Sequence, residues 1–179
     1  MKSQKKPLII LLTAALGIAA QAANAESVLR RGNGSEPQTI DPQTAQGVPE
    51  SNILRDLFEG LIGEDASGNL VPGVAEKWEI SADGKTYTFH LRDAKWSDGS
   101  PLTAHDFVYG WQRAVDPATG SHYSFLLYPV KNAQKIAEGH EKDVNQLGVK
   151  ATDDHTLVVE LEGPTPYFLG LVTHATAYP

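Results

Sequence analysis

The sequence predicts a mixed α/β protein whose strands meet in hairpins rather than through regular crossover helices. Three observations carry this. An amphipathic helical stripe follows Pro49, a period-two strand runs through Tyr87, Phe89 and Leu91, and a second helix opens at Thr103 with a capping-box-like Asp106. The composition, 41% apolar and 21% charged, is that of a globular chain. No internal repeat, low-complexity tract or long linker interrupts it.

In chain order, Val28 to Arg31 reads as a short strand, followed by the turn-rich Gly32-Asn33-Gly34-Ser35 and an extended loop from Glu36 to Gln46. The first helix has Pro49 near its first turn and Glu50 at the positive end of its dipole. Its Ile53, Leu54, Leu57, Phe58 and Leu61 recur at helical spacing opposite Arg55, Asp56 and Glu59, so the stripe is expected in the core. Asp65 to Asn69 is a turn, and Leu70 to Gly73 leads into a short amphipathic segment, Val74 to Trp78. Ala82-Asp83-Gly84-Lys85 is a hairpin turn into the Tyr87 strand, and Ser97-Asp98-Gly99 turns again after Trp96. The Thr103 helix carries Phe107, Val108, Trp111 and Val115 on one face and ends at Asp116-Pro117. A weaker helix spans Asn132 to Gly139, a strand spans Thr156 to Leu161 after the turn Asp153-Asp154-His155, and Tyr167 to Val172 starts another apolar helix.

Ahead of all this stands a segment of another kind. Lys2, Lys5 and Lys6 precede an apolar run from Leu8 to Ala20, and Ala23-Asn24-Ala25 gives a small-x-small end. The run is too short for a membrane-spanning helix, which needs about 20 residues. Residues 1–25 are therefore expected to be a cleavable signal peptide, cut after Ala25, and the Gram-negative periplasm is the expected address. The signal takes three of the 15 basic residues with it, which leaves 12 against 22 acidic ones and a net charge of about −10 on 154 residues. Such a surface repels phosphate backbones and anionic lipid, so nucleic-acid and peripheral-membrane roles are set aside. There is no cysteine. Folding must rest on core burial rather than disulfides, and no lipid-modified cysteine can follow the signal.

Chemistry is hard to find in the motifs. The six histidines (His90, His105, His122, His140, His155 and His174) make no HExxH or HxH spacing, so a metal site is not expected and surface or turn positions are. GxSxG, a cysteine nucleophile, GxGxxG, a P-loop and a calcium-loop spacing are all missing. Asp41 with Asp153-Asp154 offers a weak pair of acids for glycoside hydrolysis, but acidic pairs are common in turns. No catalytic residue, metal or cofactor is assigned.

Several ordered motifs go further. They are GVPESNILRDLFEGL from Gly47 to Leu61, PGVAEKW from Pro72 to Trp78, TFHLR from Thr88 to Arg92 and AKWSDG from Ala94 to Gly99. DFVYGWQR from Asp106 to Arg113, LGVK from Leu147 to Lys150 and DHTL from Asp154 to Leu157 complete the set. In this order, across Arg30 to Pro166, the chain resembles the periplasmic oligopeptide-binding proteins of bacterial ABC importers, which are family 5 extracellular solute-binding proteins. The pattern Tyr109-x-Trp111-x-Arg113 is more similar to oligopeptide and murein-peptide binders than to dipeptide, haem or nickel members.

The resemblance implies a periplasmic-binding-protein-like fold of three lobes, with peptide enclosed between lobes I and III. Residues 26–58 would open lobe I and residues 59–179 would form most of lobe II. Family members are far longer, so the chain resembles an N-terminal fragment, with the groups for the peptide termini in the missing part. The implied function is non-enzymatic: peptide is bound through its backbone and delivered, by a monomeric receptor, to inner-membrane ABC permease subunits served by separate ATPase subunits. A murein tripeptide receptor of the same family is the near alternative, and an envelope hydrolase or interaction domain the distant one. By the same resemblance Gln46, Gly47 and Val48 pair with the ligand backbone, and Tyr123 lines the ligand cavity. The plainer roles are a connection into the Pro49 helix for the first three and core packing for Tyr123. The family often carries an acid where Gln46 stands, so its loss should weaken recognition of basic side chains. Tyr109 and Trp111 are expected in the core.

Overall fold

The computed structural model describes residues 28–179; the expected signal peptide and its cleavage after Ala25 lie outside the described residues. Residues 33–179 form one compact unit. Residues 28–32 belong to another and are irregular, with Val28 and Leu29 exposed, so the strand expected at Val28–Arg31 does not form. A strand is stable only in a ladder, and none of the paired registers includes these residues.

Helix α1 is Val48–Leu57. Hairpins come next in the chain: β1 (Ile62–Glu64) with β2 (Leu70–Pro72), β3 (Ala75–Ile80) with β4 (Thr86–Leu91), and β5 (Ala94–Lys95) with β6 (Pro101–Leu102). Helix α2 (Ala104–Val115), a 3-10 turn at Ser124–Leu127 and helix α3 (Ala133–Ala137) continue it. Then come β7 (Val149–Asp153), β8 (Thr156–Glu160), helix α4 (Phe168–Leu171) and a final 3-10 turn at Ala175–Ala177. The main sheet is antiparallel throughout, in the order β3-β4-β8-β7. This is the hairpin-built α/β fold that the sequence predicts.

The sheet arises from alternation. Tyr87, Phe89 and Leu91 point inward from β4, and Leu157 and Val159 do so from β8, with Phe89 opposite Leu157. Helix α2 lays Phe107, Trp111, Ala114 and Val115 over β7 and β8, all essentially without solvent exposure. Each such large apolar side chain contributes about 1.5–3 kcal/mol of gross burial energy. At the helix start, the Asp106 carboxylate accepts from the Thr103 backbone N–H at 2.7 Å and from its hydroxyl at 3.0 Å. The expected turns are closed by aspartates: Asp65, Asp83, Asp98 and Asp153 each accept the N–H two residues on.

Three expectations need correction. The first helix ends at Leu57 because Phe58 turns to extended backbone, and Leu61 reaches the core from beyond the helix. Its stripe is only partly core: Leu54 is buried, Ile53 and Phe58 are half-buried and Leu57 is 60% exposed. Periodicity fixes which residues share a face but not what that face meets. Tyr109 is likewise exposed while Trp111 is buried, because residues two apart on a helix face different ways.

The C-terminal turn joins the parts. The Trp111 indole N–H donates to the Ala177 carbonyl at 2.9 Å, and Gln43 Nε2 donates to the Tyr178 carbonyl at 3.0 Å. The approach of residues 177–179 to α2 needs Gly110, where a Cβ would stand 2.6 Å from the Tyr178 oxygen. Among the described residues no helix is long and apolar enough to cross a membrane.

Candidate functional site

Gly47 is the residue from which α1 starts, and it has φ 100° and ψ 170°, a conformation that L side chains rarely adopt. A Cβ there would also lie 3.0 Å from Glu50 Oε2. Glu50 is buried beneath the turn, and its Oε1 accepts the Gln38 N–H at 2.9 Å. Asn33 adds a bond to the Pro49 carbonyl at 3.0 Å, and Asn52 donates to Asn33 at 3.2 Å. Polar contacts thus seat the start of α1, while Val48 remains 71% exposed.

Beside this turn is a cavity of about 270 Å³. Ala45, Gly47, Val48, Ser51 and Leu54 line one side, and Tyr123, His174 and Ala175 complete the wall. The Tyr123 and His174 rings are 4.8 Å apart at 48°, and Tyr123 also packs against Phe125 at 5.9 Å. The structure therefore brings Gly47, Val48 and Tyr123 to one cavity. Gln46 is exposed on the same turn but is not among the lining residues.

His174 and Ser51 are lining residues that sequence reasoning missed. Position 174 is 51 residues from Tyr123, and no local spacing signals their meeting. His174 Nδ1 accepts from the Thr176 N–H at 3.2 Å, so the neutral ring carries its proton on Nε2. Burial holds its pKa below the ordinary 6.5, and nearby Arg55 adds to the effect. His105, His122, His140 and His155 are exposed, as expected, and His90 is half-buried. Among the described residues no three His, Cys, Asp or Glu side chains are placed to hold a metal. Asp41 is engaged by Arg113, and Asp153 closes a turn by accepting the His155 N–H.

A larger open groove, about 730 Å³, is lined by Ile40, Leu57, Phe58, Val74, Trp96 and Leu102, among others. The Arg92–Glu59 ion pair stands at its rim. None of the four residues picked out from the sequence lines it.

The model for bacterial extracellular solute-binding proteins, family 5 Middle, matches residues 69–179. The chain belongs to the family 5 solute-binding proteins. It is similar to the periplasmic oligopeptide-binding protein OppA of Escherichia coli (strain K12), at 55% identity over 86% of this chain and 28% of that relative. The periplasmic murein peptide-binding protein MppA of the same organism is 48% identical over 80% of this chain and 27% of its own. Among solved structures, Haemophilus influenzae OppA in complex with the peptide RPPGFSPFR superposes with a TM-score of 0.79. It is 50% identical, over 83% of this chain and 29% of that one. The chain thus spans less than a third of the length of these family 5 relatives, and the family read from the ordered motifs is the one the comparisons find.

Proposed function

We propose that this chain belongs to an extracytoplasmic receptor for oligopeptide uptake, with the ligand lying against the Gly47-Val48 turn and the Tyr123 ring. The observation that supports this reading is the shared cavity of Gly47, Val48 and Tyr123. It joins exposed backbone at a helix start to an aromatic face. A receptor for many peptides must hold what all peptides share, the backbone N–H and C=O groups, and leave side chains in adaptable, hydrated space. Gln46, exposed on the turn, stands where a ligand side chain is read. Residues 26–58 open lobe I, residues 59–179 form most of lobe II, and the peptide termini are held elsewhere in the whole protein. The receptor is periplasmic and monomeric, performs no catalysis, and hands peptide to a membrane permease powered by separate ATPase subunits.

Calorimetric titration of the protein expressed from its full gene, with tri- and tetrapeptides, tests the reading. Binding in the micromolar range or tighter, weakened by Tyr123→Ala, is expected, and no heat with any peptide contradicts it. The 179-residue chain alone should bind weakly or not at all. The 48% identity to a murein peptide-binding protein favours a second reading. A clear preference for diaminopimelate-containing tripeptide over ordinary tripeptides would select it.

A further inference from the structure

Arg113 lies in the last turn of α2, and its guanidinium reaches the segment that leads into the Gln46-Gly47-Val48 turn. Nη1 donates to Asp41 Oδ1 at 2.6 Å and to Gln43 Oε1 at 2.7 Å, while Nη2 donates to Asp41 Oδ2. Asp41, held in this way, organises the next four residues. Its Oδ1 accepts the Gln43 N–H at 3.1 Å, and its carbonyl accepts the Thr44 and Ala45 N–H groups at 3.1 and 2.9 Å. Gln43 closes the arrangement through its buried bond to the Tyr178 carbonyl. Ala45, the next buried residue, is part of the cavity wall, and Gly47 stands two positions later.

This matters because the turn is held by directed polar contacts rather than by apolar burial: Glu50, Asn33 and Asn52 seat its α1 side, and the Arg113 fork holds the side that leads in from Asp41. Gln46, Gly47 and Val48 are all exposed, and a loop with few apolar contacts opens easily. A forked guanidinium holds a carboxylate at two points and so sets its direction, which a lysine ammonium does not do. The side chains of Arg113 and Asp41 are each about a third exposed, so water screens the pair only in part. The same contacts hold the Asp41 carboxyl below its usual range, chiefly through the Arg113 hydrogen bonds.

We propose that Arg113 is a positioning residue for ligand recognition: by clamping Asp41 and Gln43 it fixes the Ala45–Val48 turn against the wall made by Tyr123 and His174. The proposal rests on the reading of that cavity as the peptide site. It predicts that loss of the fork loosens the turn and speeds ligand release without loosening the sheet.

The test compares wild type, Arg113→Met, Arg113→Lys and Asp41→Asn, with Lys131→Met as a control, in the protein expressed from its full gene. Trialanine affinity and release rate are measured beside amide hydrogen exchange of residues 44–51 and of β4 and β8. Arg113→Met should weaken trialanine binding at least about tenfold, mainly through faster release, as expected for loss of a charge-assisted bond. Exchange at residues 44–51 should rise by a similar factor while β4 and β8 keep their wild-type rates. Arg113→Lys should fall between, and Lys131→Met should change neither readout. Unchanged exchange at residues 44–51, or equal acceleration in turn and sheet, overturns the proposal. If Arg113→Met does not fold, Arg113→Lys and Asp41→Asn decide by the same ratio. Failure of the wild type to bind any peptide overturns the peptide-site reading but not the clamp, which the exchange ratio then decides alone.

Discussion

In the main sheet, β4 alone buries Tyr87, Phe89 and Leu91, and α2 adds Phe107, Trp111 and Val115 from above. Between Asp41 and Val48 the buried side chains are Pro42, Gln43 and Ala45, and the bonds that hold the chain are almost all polar. The first region is fixed by area and shape, so it resists change broadly. The second is fixed by a few directed contacts and one glycine conformation, so it can be moved without unfolding the rest. The proposed receptor role would use both: a stiff body, and a turn whose exposed backbone is held in place but not covered.

The contrast breaks most visibly at Trp111. Trp111→Ala empties the space beneath α2 and strands the Ala177 carbonyl, and should cost about 3–5 kcal/mol in urea unfolding. Gly47→Ala acts on the other region. It forces a Cβ into positive φ beside Glu50 and should cost about 1–3 kcal/mol, with exchange rising first in residues 44–51.

Acid acts on the polar region and the cavity beside it. His174 has a lowered pKa in the folded protein, so the unfolded chain binds the proton more readily. Stability should decline as pH falls below about 6.5, with His174→Gln flattening that part of the curve in urea titrations. Asp41 is also lowered, so its contribution is full well above the ordinary 3.8 and is lost as pH falls below that value toward the lower folded one. The smallest effect is expected at the exposed Lys131–Glu160 pair, where Lys131→Met should leave the thermal melting curve where it was.

What the sequence made legible was local. The alternation around Phe89, the Asp106 cap, each aspartate turn and each of the motifs from Gly47 onward is built from residues only a few positions apart. Burial of the α1 stripe was not legible, since Leu57 shows the same helical spacing as Leu54 and yet faces outward. Nor were the contacts that build the site. Arg113 meets Asp41 across 72 residues and Trp111 meets Ala177 across 66. The pairing of Tyr123 with His174 likewise depends on the path of everything between them. Of the cavity, Gly47, Val48 and Tyr123 were reached through resemblance to a family, and His174 only through the fold.

The most direct test of the peptide-site reading is an amide and ring chemical-shift map of the protein expressed from its full gene during titration with trialanine. Saturable shifts are expected at the Gly47 and Val48 amides and at the Tyr123 and His174 rings, with β7 unmoved. Saturable binding that leaves those four residues unshifted would contradict that reading.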